Sequence, residues 1–409
     1  MKILFVLDDF LPDTFTGQSI VTYNLAQGLR KMGHEIFVVA RVQDKSREGV
    51  ENYDNLKVYR IYSKYPERLR NYLCLYNPQT VYKFRQIISE IKPDVCHFHN
   101  VHEFISYHCF KIARKHSRSV FLTVHDMMLI SYGKLTLKNN TFHYKVNILD
   151  DIKLAGKRYN PFRNLFIKFY LKNIDKIFCI SRAQEEILNL NGILNTQTVH
   201  NAIDIDSWQA SDESIDRFKA KYNLDNKIII LFGGRLSGAK GGEAILNAMP
   251  RVAEKISDSV LLVVGDINDY AGRMIKLAEK SGLTDKLVFT GWLSREEMRC
   301  AFFCADICVT PSVYFDPFNL FNIEAMAAKK PVVGTCFGGT PEIVVDQVTG
   351  YIVNPLKTED LAQRIVDLLK NPDKAVSFGL AGYQRVKDKF SVDGQVRETL
   401  AFYSRFLGG

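Results

Sequence analysis

Two short stretches of the 409-residue chain carry side chains whose type and spacing could do chemistry. In the first, Asp316 and Glu324 bracket the seven residues PFNLFNI, and AMAAKKPVV follows. Asp316 falls on a loop, and Glu324 falls in the opening turns of a helix expected over Asn322–Ala328. The loop therefore brings one carboxylate to the same point as the backbone N–H groups of Asn319, Leu320, Phe321 and Asn322. Uncommitted N–H groups at a helix start attract anions, a diphosphate above all. A carboxylate beside them can accept hydrogen bonds from sugar or ribose hydroxyls. The same spacing also fits an acid that merely supports a helix start. In the second stretch, a strand over Ile228–Phe232 runs into GGRLSGAKGG, which places Gly234, Arg235 and, five residues on, Lys240 in one glycine-rich turn. Two cations there can steady charge that grows on a departing phosphate. The plain alternative is an Arg and a Lys on a solvated turn.

The wider pattern resembles glycosyltransferase family 4. Asp316 to Glu324 and the following AMAAKKPVV look like that family's EPFG-type loop, second Glu and EAMACG-PVV run. Gly233, Gly234, Arg235, Leu236 and Lys240 resemble its GRL turn with the spaced KG. Gly338, Gly339, Pro341 and Glu342, then Thr349, Gly350 and Tyr351, resemble its GG-x-PE and TG-Y stretch. Asn201 to Asp204 resemble the step between its two domains. The resemblance covers most of residues 200–356. It implies that Asp316, His125, Arg235 and Lys240 act in catalysis. The donor would be held by Gly17, Gly234, Arg235, Lys240, Asn319, Leu320, Phe321 and Glu324. It also implies retention of configuration, with the acceptor attacking from the leaving-group face and no metal or other cofactor. Two residues depart from the pattern: Asp316 stands where Glu is usual and Asn319 where Gly is usual. Both bear on which sugar the donor carries.

Signals are thinner in the first half. Thr16-Gly17-Gln18-Ser19 follows the first strand and opens a helix, and it resembles the family's glycine-rich first loop, with one glycine where two are common. A simple strand-to-helix turn is the competing reading. His125 and Asp126 end the strand FLTV, where the family places a histidine near the donor sugar. Gln18, His99 and Asp126 are then expected on the acceptor side. His97, His99 and His102 have metal-like spacing but end the strand DVCHFH, where the family shows H-x-H without metal. Asp204-Ile205-Asp206 fits a metal-binding DxD only formally, since it lies at the domain junction.

These residues sit on alternating strand and helix signals. Strands are expected at Ile3–Leu7, Ile36–Ala40, Val95–Phe98, Val120–Val124 and Ile177–Ile180, with helices over Gln18–Met32 and Val81–Ile91. From Asn201 a second series begins: strands at Ile228–Phe232, Val260–Val264, Leu287–Phe289, Ile307–Val309 and Pro331–Gly334, and helices at Glu243–Ile256, Glu296–Cys304, Asn322–Ala328 and Glu359–Leu369. Such alternation predicts α/β architecture with two doubly wound, Rossmann-like domains facing a central cleft, and the resemblance implies the GT-B arrangement. Residues 1–200 would form the acceptor domain and 201–389 the nucleotide-sugar domain. Residues 390–409 would form a helix, expected over Phe390–Phe406, that crosses back to the first domain.

Charge divides the halves. Residues 1–200 hold 29 Lys and Arg against 18 Asp and Glu, and the remainder holds 25 against 27. All nine histidines lie in the first half. A basic domain suits anionic partners. Two segments, Lys57–Arg85 and Lys157–Lys172, mix basic and aromatic residues and could lie on anionic lipid, or form ordinary packed helices with solvated basic faces. No nucleic-acid-binding motif accompanies the charge. The apolar run Ile3–Leu7 stops at Asp8 and Asp9, too short for a signal-peptide core. With no long apolar stretch and eight cysteines free of any CxxC pair, the expectation is a cytoplasmic chain, possible as a peripheral protein of the inner membrane face. Cys300, Cys304 and Cys308 read as small buried side chains, not metal ligands. The expected partners are a nucleotide-sugar donor and a glycan or polyprenyl- or lipid-linked acceptor, as in bacterial surface polysaccharide assembly. A nucleotide-sugar 2-epimerase or hydrolase of the same fold, or a non-catalytic scaffold, would be the other uses of such a chain.

Overall fold

The computed structural model describes residues 1–136 and 141–408. The chain divides into two compact units. Unit 1 comprises Met1–Leu135, Phe142–Ala202 and Val392–Gly409, and unit 2 comprises Ile203–Ser391 with Thr136 and Thr141.

In unit 1, β1 (Lys2–Leu7) leads to α1 (Gly17–Lys31), β2 (Glu35–Val42), β3 (Gly49–Tyr53) and β4 (Leu56–Tyr62). There follow α2 (Arg70–Leu73), α3 (Pro78–Ile91), β5 (Val95–His99), α4 (His108–His116) and β6 (Ser119–Val124). Then come α5 (Ile148–Ala155), α6 (Arg163–Leu171), β7 (Lys176–Cys179), α7 (Arg182–Leu190) and β8 (Thr196–Thr198). The eight strands form one sheet in the order β3-β4-β2-β1-β5-β6-β7-β8. Every pairing is parallel except β3 with β4. From Ile3 to Leu7 every residue of β1 is buried, as a strand covered by helices on both faces requires.

Unit 2 runs through α8 (Asp212–Lys221), β9 (Ile228–Gly233), α9 (Gly242–Lys255), β10 (Ser259–Val264), α10 (Asp269–Lys280) and β11 (Leu287–Gly291). It continues with α11 (Arg295–Cys304), β12 (Ile307–Thr310), α12 (Leu320–Ala327), β13 (Val332–Thr335) and α13 (Thr340–Ile343). β14 (Gly350–Val353), α14 (Thr358–Lys370) and α15 (Pro372–Lys389) complete it. Its six strands are all parallel, ordered β11-β10-β9-β12-β13-β14. Its core packs aliphatic side chains with Phe232, Tyr270, Tyr351 and Phe378, chiefly from β9, β10 and β12 against α9, α10 and α14.

The last helix, α16 (Val392–Leu407), belongs to unit 1. It lies so close to α1 that a Cβ on Gly28 would stand 2.5 Å from Val396 Cγ2. Its Tyr403 hydroxyl reaches His97 Nδ1 at 2.5 Å, which ties the chain's end beneath the central strands.

In both sheets the strand order reverses beside the first strand: between β1 and β5 in unit 1, and between β9 and β12 in unit 2. Loops leaving the C-terminal ends of such a strand pair turn to opposite faces and open a crevice where ligands bind. The chemically equipped residues collect at these two points.

Candidate functional site

In unit 2 the loop after β9 carries Gly234, Arg235 and Lys240, and the loop after β12 carries Asp316. The two loops meet. Lys240 Nζ lies 2.8 Å from Asp316 Oδ2, with side chains only 16% and 8% exposed, so the pair is largely withdrawn from solvent. The Tyr314 ring faces the same ammonium at 5.6 Å. Backbone contacts lock this geometry: Val313 N–H donates to Ala239 C=O at 2.9 Å, and Gly339 N–H donates to Asp316 C=O at 2.8 Å. Two glycines permit the approach. A Cβ on Gly241 would stand 1.8 Å from Pro311 O, and one on Gly338 would stand 2.1 Å from Asp316 O. Both also adopt positive φ, at 81° and 69°, where other residues are strained.

Arg235 is exposed on this loop. Glu324 lies half-buried on α12. Burial pushes its carboxyl up to about 7, against the opposing pull of Arg295 and Lys240. Arg295, at the start of α11, is a further cation at this edge that sequence reasoning missed. Its Ser-Arg-Glu-Glu setting reads as a helix cap, and Ser294 and Glu297 do form a capping box.

The expected set of open N–H groups from Asn319 to Asn322 needs correction. The helix begins two residues earlier than expected, at Leu320, and Asn319 caps it. Asn319 Oδ1 accepts the Phe321 N–H at 3.3 Å, and the Asn319 carbonyl accepts the Asn322 N–H at 3.1 Å. The Asn that replaces the usual Gly therefore consumes part of its own anion site. Phe321 packs its ring on Phe302, with centroids 4.5 Å apart. Asn322 is structural: it accepts from Thr310 Oγ1 at 2.7 Å and donates to Thr340 Oγ1 at 3.3 Å.

In unit 1 the structure brings Gln18, His99, His125 and Asp126 together at the C-terminal ends of β5 and β6. Thr16 caps α1 in a box with Ser19, which leaves the N–H groups of Gly17 and Gln18 at the helix start without a partner among the described residues. Gln18 Nε2 donates to His99 C=O at 2.6 Å. His99 Nδ1 and His125 Nε2 lie 2.9 Å apart. Burial drives His125 down to about 4 and His99 well below the usual imidazole range, so both are neutral at pH 7. One proton is then shared between the two facing nitrogens. His99 Nε2 is buried without a partner. An orphaned lone pair costs less than an orphaned buried N–H. The favoured tautomer thus has His99 Nδ1–H donating to His125 Nε2. His125 then keeps its proton on Nδ1, a neutral donor for an arriving ligand.

Asn100 was not anticipated as a positioning residue. Its Oδ1 accepts the His125 N–H at 3.0 Å, and its Nδ2 donates to Asp126 Oδ2 at 2.9 Å. Its positive φ of 39° directly after a strand was the available signal, one that residue types alone do not display. Asp126 Oδ1 also accepts the Met128 N–H at 2.8 Å, and His102 Nε2 stands 3.5 Å from Asp126 Oδ2. His97 is a packed core histidine, bonded to Tyr403 and, at 2.8 Å, to Thr123 Oγ1.

The reversal point between β1 and β5 holds a different carboxylate, Asp8. It accepts N–H groups from Glu103 at 2.9 Å, Phe104 at 2.9 Å and Ile105 at 2.6 Å. Burial and the nearby Glu103 push its carboxyl up to about 8, against those N–H bonds. Sequence reading had used Asp8 only to end an apolar run.

Among the described residues, no group of three or more His, Cys, Asp and Glu side chains is arranged to hold a metal. Cys300 and Cys304 are buried on α11 and Cys308 is buried on β12. Asp204 Oδ1 accepts the Ser207 N–H at 3.4 Å in a turn.

Two Rossmann-like units with a cation and a carboxylate gathered at the strand ends define the GT-B class of glycosyltransferases. Residues 214–385 match the family described as glycosyl transferases group 1, and residues 15–207 match glycosyltransferase family 4. An uncharacterized glycosyltransferase of Methanocaldococcus jannaschii is 26% identical over 98% of both chains. The structure of a glycosyltransferase from Rickettsia africae shares the fold with a TM-score of 0.74 at 20% identity, over 100% of this chain and 99% of that one. Anabaena HepE, solved with UDP and glucose, gives a TM-score of 0.72 at 17% identity, over 99% of this chain and 100% of that one. The chain belongs to glycosyltransferase family 4 and is a glycosyltransferase enzyme.

Proposed function

We propose that this enzyme transfers a hexosyl or N-acetylhexosaminyl group from a nucleoside-diphosphate sugar to a hydroxyl of a glycan or lipid-linked glycan, with retention and without a metal ion. The observation that carries the reading is the Lys240–Asp316 pair at the reversal point of unit 2. An ammonium held by a single carboxylate can turn to a diphosphate when one arrives, because the phosphate brings more negative charge than the carboxylate. Lys240 and Arg235 then stabilise charge that develops on the β-phosphate as the glycosidic bond breaks, the task a divalent cation performs elsewhere. Glu324, as carboxylate, accepts hydrogen bonds from the ribose, with Arg295 beside it. The Leu320 N–H and the Gly234 turn add backbone contacts to the phosphates. Asp316, relieved of Lys240, accepts from sugar hydroxyls.

The exposed Trp292, at the end of β11, and Ile267, after β10, offer a nucleobase an apolar surface on the same sheet edge. His125 Nδ1–H is a neutral donor for the sugar or phosphate, and Gly17 contributes a free N–H. Gln18, His99 and Asp126 shape the acceptor side. Retention follows if the acceptor hydroxyl attacks on the face the diphosphate leaves, passing its proton to the phosphate. Anabaena HepE binding UDP and glucose supports a nucleotide-sugar donor.

The basic character of unit 1 supports an anionic, membrane-borne acceptor, as in O-antigen, capsule or lipopolysaccharide synthesis. On that reading the enzyme works in the cytoplasm, at the inner face of the membrane. No helix among the described residues is long and apolar enough to cross a membrane. The test is incubation of the purified chain with a panel of nucleotide sugars and of glycan or polyprenyl-diphosphate acceptors, with anomeric analysis of the product by NMR. Transfer with retention is expected. Donor consumption that is independent of every acceptor would replace transfer by hydrolysis or epimerisation, and inversion would remove the mechanism.

A further inference from the structure

Helix α6 of unit 1 is built inside out. It buries Arg163, Ile167 and Tyr170 and turns Phe162, at its N-terminal cap, and Leu165, Phe166 and Phe169 to solvent. Those four sit at i, i+3, i+4 and i+7, a single outward stripe. Phe162 and Leu165 are 61% and 67% exposed. The buried guanidinium lies over the Tyr132 ring, 4.6 Å from its centroid, and bonds the Met128 carbonyl. A helix that hides an arginine and displays phenylalanines is not arranged for water.

The stripe continues onto neighbouring elements. Asn164 Nδ2 donates to Asp151 Oδ2 at 2.8 Å and joins α6 to α5, which exposes Ile148, Leu149 and Ile152. Asn160 Nδ2 donates to Asn71 C=O at 2.9 Å, and Asn71 Nδ2 returns to Arg158 C=O at 2.9 Å, which brings in α2 with its exposed Tyr72. An outward apolar stripe, with further exposed apolar residues on the elements bonded to it, marks an interaction surface. Its border is cationic. Residues 145–172 hold seven Lys and Arg against two Asp, and Lys145, Lys153, Lys157, Lys168 and Lys172 are all exposed.

We propose that this face seats unit 1 on an anionic lipid bilayer, with Leu149, Ile152, Phe162, Leu165, Phe166 and Phe169 in the acyl boundary and the lysines at headgroup level. Charge selects the occupant. Apolar side chains ringed by lysines match an anionic bilayer, where each surface-near cation adds attraction. A second copy of the same face would bring two cationic rims together. The inference rests on the transfer reading for one point only, that the docked enzyme meets a lipid-linked acceptor.

The experiment is co-sedimentation of the full chain with phosphatidylglycerol–phosphatidylcholine vesicles and with phosphatidylcholine vesicles alone. It is run for the wild type, for L165S/F166S/F169S on α6 and for L149S/I152S on α5, each checked by circular dichroism. Wild type is expected to bind the anionic vesicles selectively. The α6 triple variant should bind about tenfold more weakly or less, the α5 variant should be weakened by a smaller factor, and about 0.5 M salt should reduce wild-type binding. Equal binding by both vesicle types, or full binding by folded variants of both helices, would overturn the proposal. So would a concentration-dependent dimer in sedimentation velocity that the α6 variant abolishes. Calorimetry with nucleoside diphosphates on the same preparations separates the two readings. A chain that binds nucleotide but ignores vesicles overturns the docking alone, and one that binds vesicles but no nucleotide supports docking and overturns the transfer reading.

Discussion

The reversal points of the two sheets are built alike and finished differently. In unit 2 the loops after β9 and β12 are joined by an ion pair, Lys240 with Asp316. In unit 1 the loops after β1 and β5 are joined by Asp8, whose carboxyl accepts three backbone N–H groups. The first link is between two side chains, so it can open to admit an anion without disturbing the backbone. The second ties side chain to main chain, and opening it would leave three backbone donors, one buried and two partly buried, without their acceptor. Position in the fold therefore does not by itself make a carboxylate reactive. What matters is whether its partner is a mobile cation or the fixed backbone.

Substitutions should separate the two links. The largest effect is expected for K240A, with turnover falling roughly 10²–10³-fold in steady-state assays while circular dichroism still shows a folded protein, since the lost group serves a developing charge even though Asp316 loses its counter-ion. D316N should lower turnover about tenfold to hundredfold, again without unfolding, because the amide neither holds Lys240 nor accepts as strongly. Glu324 supplies a pH test. Its raised carboxyl, at about 7, is charged above that value and protonated below it. Donor affinity should thus fall as pH drops through 7, by up to about tenfold per unit below it, and the dependence should vanish in E324Q. The site histidines His99 and His125 do not produce this limb, because burial holds both imidazoles down in the neutral form. The smallest effect on chemistry belongs to D8A. It should cost about 2–4 kcal/mol of stability in denaturant unfolding, with turnover of the folded enzyme changed less than about threefold. A D8A enzyme that is stable but inactive would erase the distinction between the two reversal points.

Much of this frame was legible in the chain. Buried parallel strands leave continuous apolar runs, so β1, β9 and β10 announced themselves, and the glycines around Lys240 and Asp316 marked loops that approach closely. The β3–β4 hairpin did not, because β3 is a largely exposed strand whose residues show no apolar run. Its turn uses Asp54 and Asn55 at φ of 49° and 63°, a pairing less conspicuous than Asn-Gly. α15 was also hidden, since Gly379 and Gly382 interrupt its helical signal. The reason is packing: a Cβ on Gly379 would stand 2.0 Å from Lys329 O. At the candidate site, spacing and resemblance singled out Lys240, Asp316 and Glu324, but did not show that Asn319 would cap its own helix. Nor did they show that Asn100 would fix His125 and Asp126, or that Arg295 would stand near Glu324. Those facts depend on contacts between elements distant in sequence, which spacing along a single chain does not encode.

The central claim is that the β9–β12 edge of unit 2 binds a diphosphate through Lys240. Isothermal titration calorimetry of a nucleoside-diphosphate panel against wild type and K240A tests it most directly. One member should bind the wild type and bind K240A at least about tenfold more weakly, with K240A folded by circular dichroism. Equal affinity for the two proteins would contradict the account.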